Sequence, residues 1–243
     1  MGNAGGEALG GLIFMKLCVN RIMFTFMNGQ PLGINNIVEF AKVRARFATG
    51  IELEGELSGL LPTPENKKKN FPGESWMLGD TFNASIGQGI DLATPIQLAM
   101  LMSCVAADGV YHPPYLVESL LNNDGSVYQM AEHAPARNIG ISMHTLRLIQ
   151  NALEGVAEEG GTASYFASLP KQIAAKTGTA ENPHGRDHGL FVAYGPAENP
   201  ELVVACIVEQ GGFGTSAAGP IVYKVFEEWF RQEGFITGNP AAK

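Results

Sequence analysis

The chain is 243 residues long, 45% hydrophobic and 16% charged, with a formal net charge of -8. Those values describe one globular domain with a sizeable core and exclude a disordered or fibrous chain. The acidic balance argues against nucleic acid or an anionic membrane surface as partner, and three scattered cysteines, Cys18, Cys104 and Cys206, are too few for a disulfide framework and leave the compartment undecided.

Residues 9–27 are largely apolar, but Lys16, Asn20 and Arg21 interrupt the run and only the acidic Glu7 precedes it. The expectation is a helix half buried in the core, and neither a signal peptide nor a membrane anchor. In residues 34–47, Ile34, Ile37, Val38, Ala41 and Ala45 recur at helical spacing. Lys67-Lys68-Lys69 reads as a solvated basic loop. Gly79, Gly87 and Gly89, with the turn-forming Asp80 and Asn83, predict a turn-rich connection that packs against a sheet; residues 92–102 then read as a helix with Pro95 in its first turn. Residues 110–129 predict a strand pair around Asn123-Asp124-Gly125, a hairpin signal. A helix is expected over 142–158, with Leu146, Ile149, Leu153 and Val156 on one face. Three antiparallel strands follow: one entered through Gln172-Ile173-Ala174-Ala175, a second over 190–194 and a third over 202–208. Residues 217–233 form an amphipathic helix whose predicted inward residues are Ile221, Val225, Phe226, Trp229 and Phe230.

The chemistry sits on Lys176-Thr177-Gly178-Thr179-Ala180-Glu181, near the exposed end of the first of those strands. Lys176 offers a cation for an anionic substrate group or for tuning a neighbouring hydroxyl. Gly178, having no side chain, admits a substrate backbone, Thr177 and Thr179 supply hydroxyls, and the adjacent backbone N–H can face a developing oxyanion. Standing alone, Lys-Thr-Gly would be an ordinary strand end with a solvated lysine. The five histidines show no metal-ligand spacing; His184 and His188 are four apart but in a Pro/Gly loop, and read as surface residues.

Several further motifs agree with Lys176–Glu181 in order as well as in type: Thr49-Gly50-Ile51-Glu52-Leu53, the Gly55–Pro64 stretch, the Gly79–Gly89 segment and Leu92-Ala93-Thr94-Pro95-Ile96-Gln97-Leu98-Ala99. Together they resemble the transpeptidase domain of class B penicillin-binding proteins, most of all the elongation-type penicillin-binding protein 2, from about residue 10 onward. The resemblance implies an α+β fold, a mainly antiparallel sheet with helices on both faces. It also implies serine acyl transfer, in which a Ser-x-x-Lys serine attacks the penultimate D-alanine carbonyl of a peptidoglycan stem peptide and β-lactams acylate the same serine. No metal or organic cofactor is implied.

Carried over residue by residue, the resemblance gives Lys176 the positive charge, Thr177 and Thr179 the terminal carboxylate, Gly178 the close approach, and the Thr179 N–H part of the oxyanion hole. Cys18-Val19-Asn20 reads either as an altered Ser-x-Asn, with Cys18 at the proton-relay position and Asn20 on the substrate amide, or as a buried helical cysteine beside an unrelated asparagine. No serine lies ahead of Cys18. Ser168-Leu169-Pro170-Lys171 matches Ser-x-x-Lys formally, but Pro170 opposes the helical turn that the motif needs. The expectation is therefore residues 1–243 as a partial transpeptidase domain without nucleophile segment, pedestal domain or membrane anchor, inactive by itself, from a family at the periplasmic face of the inner membrane. Stem peptides and β-lactams are the expected ligands, with an elongation-complex glycosyltransferase as possible protein partner. Two alternatives stand beside it: a degenerate non-catalytic module acting through protein partners, favoured by the missing nucleophile, and a β-lactamase or β-lactam sensor, opposed by Thr179-Ala180-Glu181 and the Gly79–Gly89 segment.

Overall fold

The computed structural model describes residues 49–236. The helix expected over 34–47, the apolar segment 9–27 and both Cys18 and Asn20 lie outside the described residues.

Thr49 enters through a carboxylate-tied turn. Glu56 accepts from the Thr49 N–H at 2.5 Å, the Thr49 hydroxyl at 2.6 Å and the Gly50 N–H at 3.0 Å. Burial pushes the Glu56 carboxyl up, but these donors outweigh it and hold it below the ordinary value. Glu52 accepts from the N–H groups of Leu116 and Val117, at 2.9 and 3.2 Å, tying the same segment to the chain some sixty residues on.

Helix α1 (Pro64–Asn70) starts at Thr63, whose hydroxyl accepts from the Asn66 N–H, with Pro64 at the first position. This corrects the basic-loop reading of Lys67–Lys69. Lys67 is 8% exposed, and its ammonium meets both carboxylate oxygens of Asp80, at 2.9 and 2.8 Å. Asp80 also accepts from the Met77 N–H at 2.6 Å, so one carboxylate starts helix α2 (Leu78–Ser85) and pins it to α1. The turn-rich connection expected over 79–89 is thus a helix for most of its length. Asp80 serves at the start of α2, where a carboxylate suits the helix dipole, and not in an isolated turn.

Helix α3 (Pro95–Ala106) has a reciprocal cap: the Thr94 hydroxyl accepts from the Gln97 N–H, and the Gln97 side chain accepts from the Thr94 N–H at 2.8 Å. Strand β1 (Val110–Tyr111) pairs antiparallel with β4 (Arg137–Asn138). Strands β2 (Ser119–Leu121) and β3 (Val127–Met130) form the hairpin expected at Asn123-Asp124-Gly125, with Gly125 at φ 83°. Helix α4 (Met143–Ala157) starts at Ser142 and buries Leu146, Gln150, Leu153 and Ala157. The expected Ile149 packs partly buried against the same core, and Gln150, which was not expected there, is buried beside it. Its amide donates to the Val105 carbonyl at 2.8 Å and to Asp108 at 2.9 Å, so the polar group is satisfied where it is buried.

The main sheet is β5 (Ala174–Ala180), β6 (His188–Gly195) and β7 (Leu202–Val208), antiparallel in the order β5-β6-β7. All eight residues of β6 are buried because helices cover both faces, which is why its sequence is apolar without alternation. On one face Ala174, Ala180, Leu190, Val192 and Tyr194 pack with Leu98, Met102 and Val105 of α3 and Leu153 of α4. On the other, Ala175, Phe191 and Ala193 pack with Phe166 of a short 3-10 turn and with Val222, Phe226 and Phe230 of helix α6 (Gly219–Gln232). This is the expected α+β architecture. A four-residue helix α5 (Gly214–Ala217) sits over the end of β6.

The inward face of α6 carries the expected Phe226 and Phe230, with Trp229 packed partly against the same core, but not the expected Ile221 and Val225. Val222, Phe226 and Phe230 point into the core, whereas Ile221 is 49% and Val225 41% exposed. Two apolar stripes run side by side one residue apart, a turn of about 100° around the helix axis, and only one of them faces the sheet.

Candidate active site

The site residues that fall within the described chain lie together on β5. Register with β6 is continuous, pairing Lys176 with Val192, Thr177 with Phe191, Gly178 with Leu190 and Thr179 with Gly189. Among the described residues no strand pairs with the other side of β5. Strand alternation puts Lys176 and Gly178 on the face shared with Ala174 and Ala180, toward α3, and Thr177 and Thr179 on the face shared with Ala175.

The backbone alternates as well. A residue in an antiparallel strand turns its N–H and C=O to the same side. The Lys176 ammonium donates to the Thr177 carbonyl, and the Gln88 amide donates to the Thr179 carbonyl at 3.2 Å. Thr177 and Thr179 therefore turn their peptide groups to the open edge, while Lys176, Gly178 and Ala180 turn theirs to β6. The edge so built offers the Thr177 and Thr179 N–H groups beside a lysine side chain, the donor set for an extended chain ending in a carboxylate and for an oxyanion.

Gln88, within the segment expected to pack against the sheet as a turn-rich connection, reaches this edge because of how α2 ends. The Gly87 N–H bonds the Ala84 carbonyl at 3.1 Å and the Gln88 N–H bonds the Asn83 carbonyl at 2.9 Å, with Gly87 at φ 77°. That pair of bonds is the left-handed helix stop that favours glycine, and it throws the next side chain away from the helix. Gly87, two residues past the last residue of α2, was the available signal, hidden by reading 79–89 as turns.

Ser168 and Lys171 do not form a Ser-x-x-Lys turn. The 3-10 turn Ser164–Ser168 ends there and Leu169 is extended; the Ser168 hydroxyl bonds the Tyr165 carbonyl at 2.7 Å and the Tyr223 hydroxyl at 2.9 Å, while the Lys171 ammonium lies 5.1 Å from the Phe235 ring centre. His188, expected at the surface, is 7% exposed at the start of β6, where its Nδ1 accepts from the Gln210 N–H at 3.0 Å. Among the described residues no group of three or more His, Cys, Asp or Glu is arranged to hold a metal ion.

Asp91 lies just past the Gln88 turn, next to Leu92, which bridges to Leu60. Burial pushes its carboxyl up to about 7. An unfolded aspartate titrates near 3.9, so the folded state holds this proton more tightly, and stability falls as pH rises from about 4 to about 7 before levelling off. Asp91→Asn is therefore expected to raise Tm relative to the parent at pH 8 and by much less at pH 4. Thermal melts at the two pH values check it; an equal difference at both would contradict the buried, proton-holding carboxyl.

An antiparallel sheet covered by helices on both faces, with Lys-Thr-Gly-Thr on its open edge strand, defines an acyl-transfer domain of the penicillin-binding type. Residues 38–227 match the family described as penicillin binding protein transpeptidase domain, and the chain belongs to that family. It is 35% identical over 223 residues to the peptidoglycan D,D-transpeptidase MrdA of Escherichia coli K12, an alignment covering 84% of this chain and 35% of that protein. Among solved structures it is similar to Pseudomonas aeruginosa PBP2 in complex with WCK 5153, with a TM-score of 0.69 at 30% identity, covering 90% of this chain and 47% of that one. A complex between PBP2 and MreC from Helicobacter pylori is similar at TM-score 0.69 and 25% identity, over 92% of this chain and 38% of that one. The chain thus spans about a third of the length of the curated relatives it matches. Among the described residues no helix is long and apolar enough to cross a membrane.

Proposed function

We propose that residues 1–243 form part of a peptidoglycan D,D-transpeptidase domain that binds the D-alanyl-D-alanine end of stem peptides and, by the same edge, β-lactams. The observation that carries this reading is the open edge of β5, where Lys176 and the Thr177 and Thr179 N–H groups converge beside a Gly178 that is paired into the sheet. In this reading Lys176 supplies the charge and Thr177 and Thr179 hold the terminal carboxylate, with Gly178 giving clearance. The Thr179 N–H takes the oxyanion, Asn20 contacts the substrate amide, and Cys18 stands where a relay hydroxyl belongs.

The reaction needs a nucleophile, and the sole Ser-x-x-Lys of these residues has its serine and lysine engaged with separate partners. We infer that the chain by itself binds without turning over. That observation also favours a second reading, a non-catalytic module acting through a protein partner such as a cell-wall glycosyltransferase or a counterpart of MreC, at the periplasmic face of the inner membrane.

Intact mass after incubation with a penicillin, with Lys176→Ala as the comparison, tests the inference. The expected result is an unchanged mass for the folded chain. A covalent adduct present in the parent and lost in the variant would overturn it, and peptide mapping of that adduct would locate the nucleophile.

A further inference from the structure

A ligand paired antiparallel to β5 with its terminal carboxylate at Lys176 runs along the strand past Thr179 and on toward Glu181. Its penultimate residue, opposite Thr179, exchanges both backbone bonds with that residue. The third residue from its end lies opposite Ala180, whose own peptide groups turn to β6, and the carbonyl ahead of that third residue reaches the Glu181 N–H. In the free chain this stretch of the edge is already taken. The Gln88 carboxamide donates to the Thr179 carbonyl at 3.2 Å and accepts from the Glu181 N–H at 3.4 Å. One planar amide bonded on both sides of Ala180 stands where the third residue of the ligand would lie, so the two cannot be present together.

The backbone delivers this amide to the edge, and the side chain is free to take it away. The Gly87 and Gln88 N–H bonds fasten the segment to α2, and a Cβ on the following Gly89, at φ 85°, would meet the Asn83 Cβ at 3.5 Å. Gln88 itself is half-buried, so rotation about its side-chain bonds carries the carboxamide into water without moving α2 or β5. We propose that Gln88 is a self-inhibitory latch on the β5 edge, displaced by a ligand that extends through the third residue from its carboxylate end and left in place by one that stops at the Thr179 N–H. The inference rests on the peptide-binding reading of the same edge and adds which ligand residue opens it. Breaking the two Gln88 bonds costs part of the binding free energy, and only a backbone that supplies an N–H to Thr179 and a carbonyl to Glu181 replaces them. A short ligand never meets the latch, and its affinity does not depend on residue 88.

The test is an NMR titration of the full chain, parent against Gln88→Ala and Gln88→Asn, with diacetyl-L-lysyl-D-alanyl-D-alanine and with N-acetyl-D-alanine. The tripeptide carries the third residue and the carbonyl ahead of it, whereas the acetyl carbonyl of N-acetyl-D-alanine reaches only the Thr179 N–H. In the parent, saturating tripeptide should shift the Thr177, Thr179 and Glu181 amide signals and move the Gln88 side-chain NH2 signals to those of a solvated carboxamide. Alanine has no amide and asparagine is too short to reach both groups. Each variant should therefore tighten tripeptide binding on the order of tenfold, the gain when one or two hydrogen bonds need no longer be broken. N-acetyl-D-alanine should bind parent and variants alike, which also shows that the variants keep the edge intact. Equal or weaker tripeptide affinity in the variants, or Gln88 signals that stay put at saturation, would overturn the latch and leave the peptide-binding reading standing. If neither compound moves a β5 amide signal in the parent or in either variant, the peptide-binding reading falls and the latch falls with it.

Discussion

Phe191→Ala is expected to cost about 3–5 kcal/mol of folding stability, the range for a large aromatic removed from a rigid core. Phe191 is fully buried at the centre of β6 and stacks on Phe166, with ring centres 5.0 Å apart and planes 9° from parallel. Gly219 of α6 packs so closely that a Cβ there would lie 3.1 Å from the Phe191 ring, and the same Cβ would be 2.0 Å from the Tyr165 hydroxyl. The Gly219 backbone on one side and the stacked Phe166 ring on another hold the walls of the space left behind, so it collapses poorly. Phe191 is also the register partner of Thr177. The loss should therefore reach the candidate site as faster amide exchange along β5. Urea unfolding checks the magnitude: a lower midpoint at unchanged slope is expected, and a cost below about 1 kcal/mol would contradict the packing described.

Gly214→Ala is expected to destabilise the chain by about 1–3 kcal/mol and to disturb Gly178 selectively. A Cβ at Gly214 would stand 2.1 Å from the Leu190 carbonyl oxygen and 2.4 Å from that of Gly178. Both neighbours are backbone atoms of one paired step of the sheet, so neither can rotate away and α5 must lift. Gly79→Ala in α2 is the control, since a Cβ there meets nothing within 4 Å. It should be neutral or stabilising by up to about 1 kcal/mol, as alanine favours a helix over glycine. Melts of the two variants separate a steric effect from a general cost of replacing glycine. Equal behaviour would contradict the close approach of α5 to β5.

Much of the fold was legible in local pattern. Leu202–Val208 was read to the residue because an uncharged run between a Pro-containing turn and a Gly pair has few alternatives. The α4 start was legible from Ser142, because capping is a short-range bond between side chain and backbone, whereas α3 was expected from residue 92 and begins only at Pro95, after the Thr94 cap. The other errors share one cause. The partners of Lys67 are Asp80, thirteen residues away on the next helix, and Glu74 at 3.4 Å, and a run of three lysines carries no sign of either. On α6 both Ile221-Val225-Trp229 and Val222-Phe226-Phe230 recur every four residues, and only the position of the sheet selects the second as core.

The candidate site divides the same way. Residue order by itself determined the Lys-Thr-Gly-Thr strand, its antiparallel neighbours and the family, because a motif and a strand are contiguous stretches of chain. Tertiary structure alone decided which peptide groups of β5 face outward, that Gln88 from 91 residues earlier in the chain meets one end of that edge, and that desolvation pushes the Asp91 carboxyl up. The reason is physical: hydrogen-bond direction and desolvation depend on which surfaces meet, and surfaces meet only when distant segments have packed.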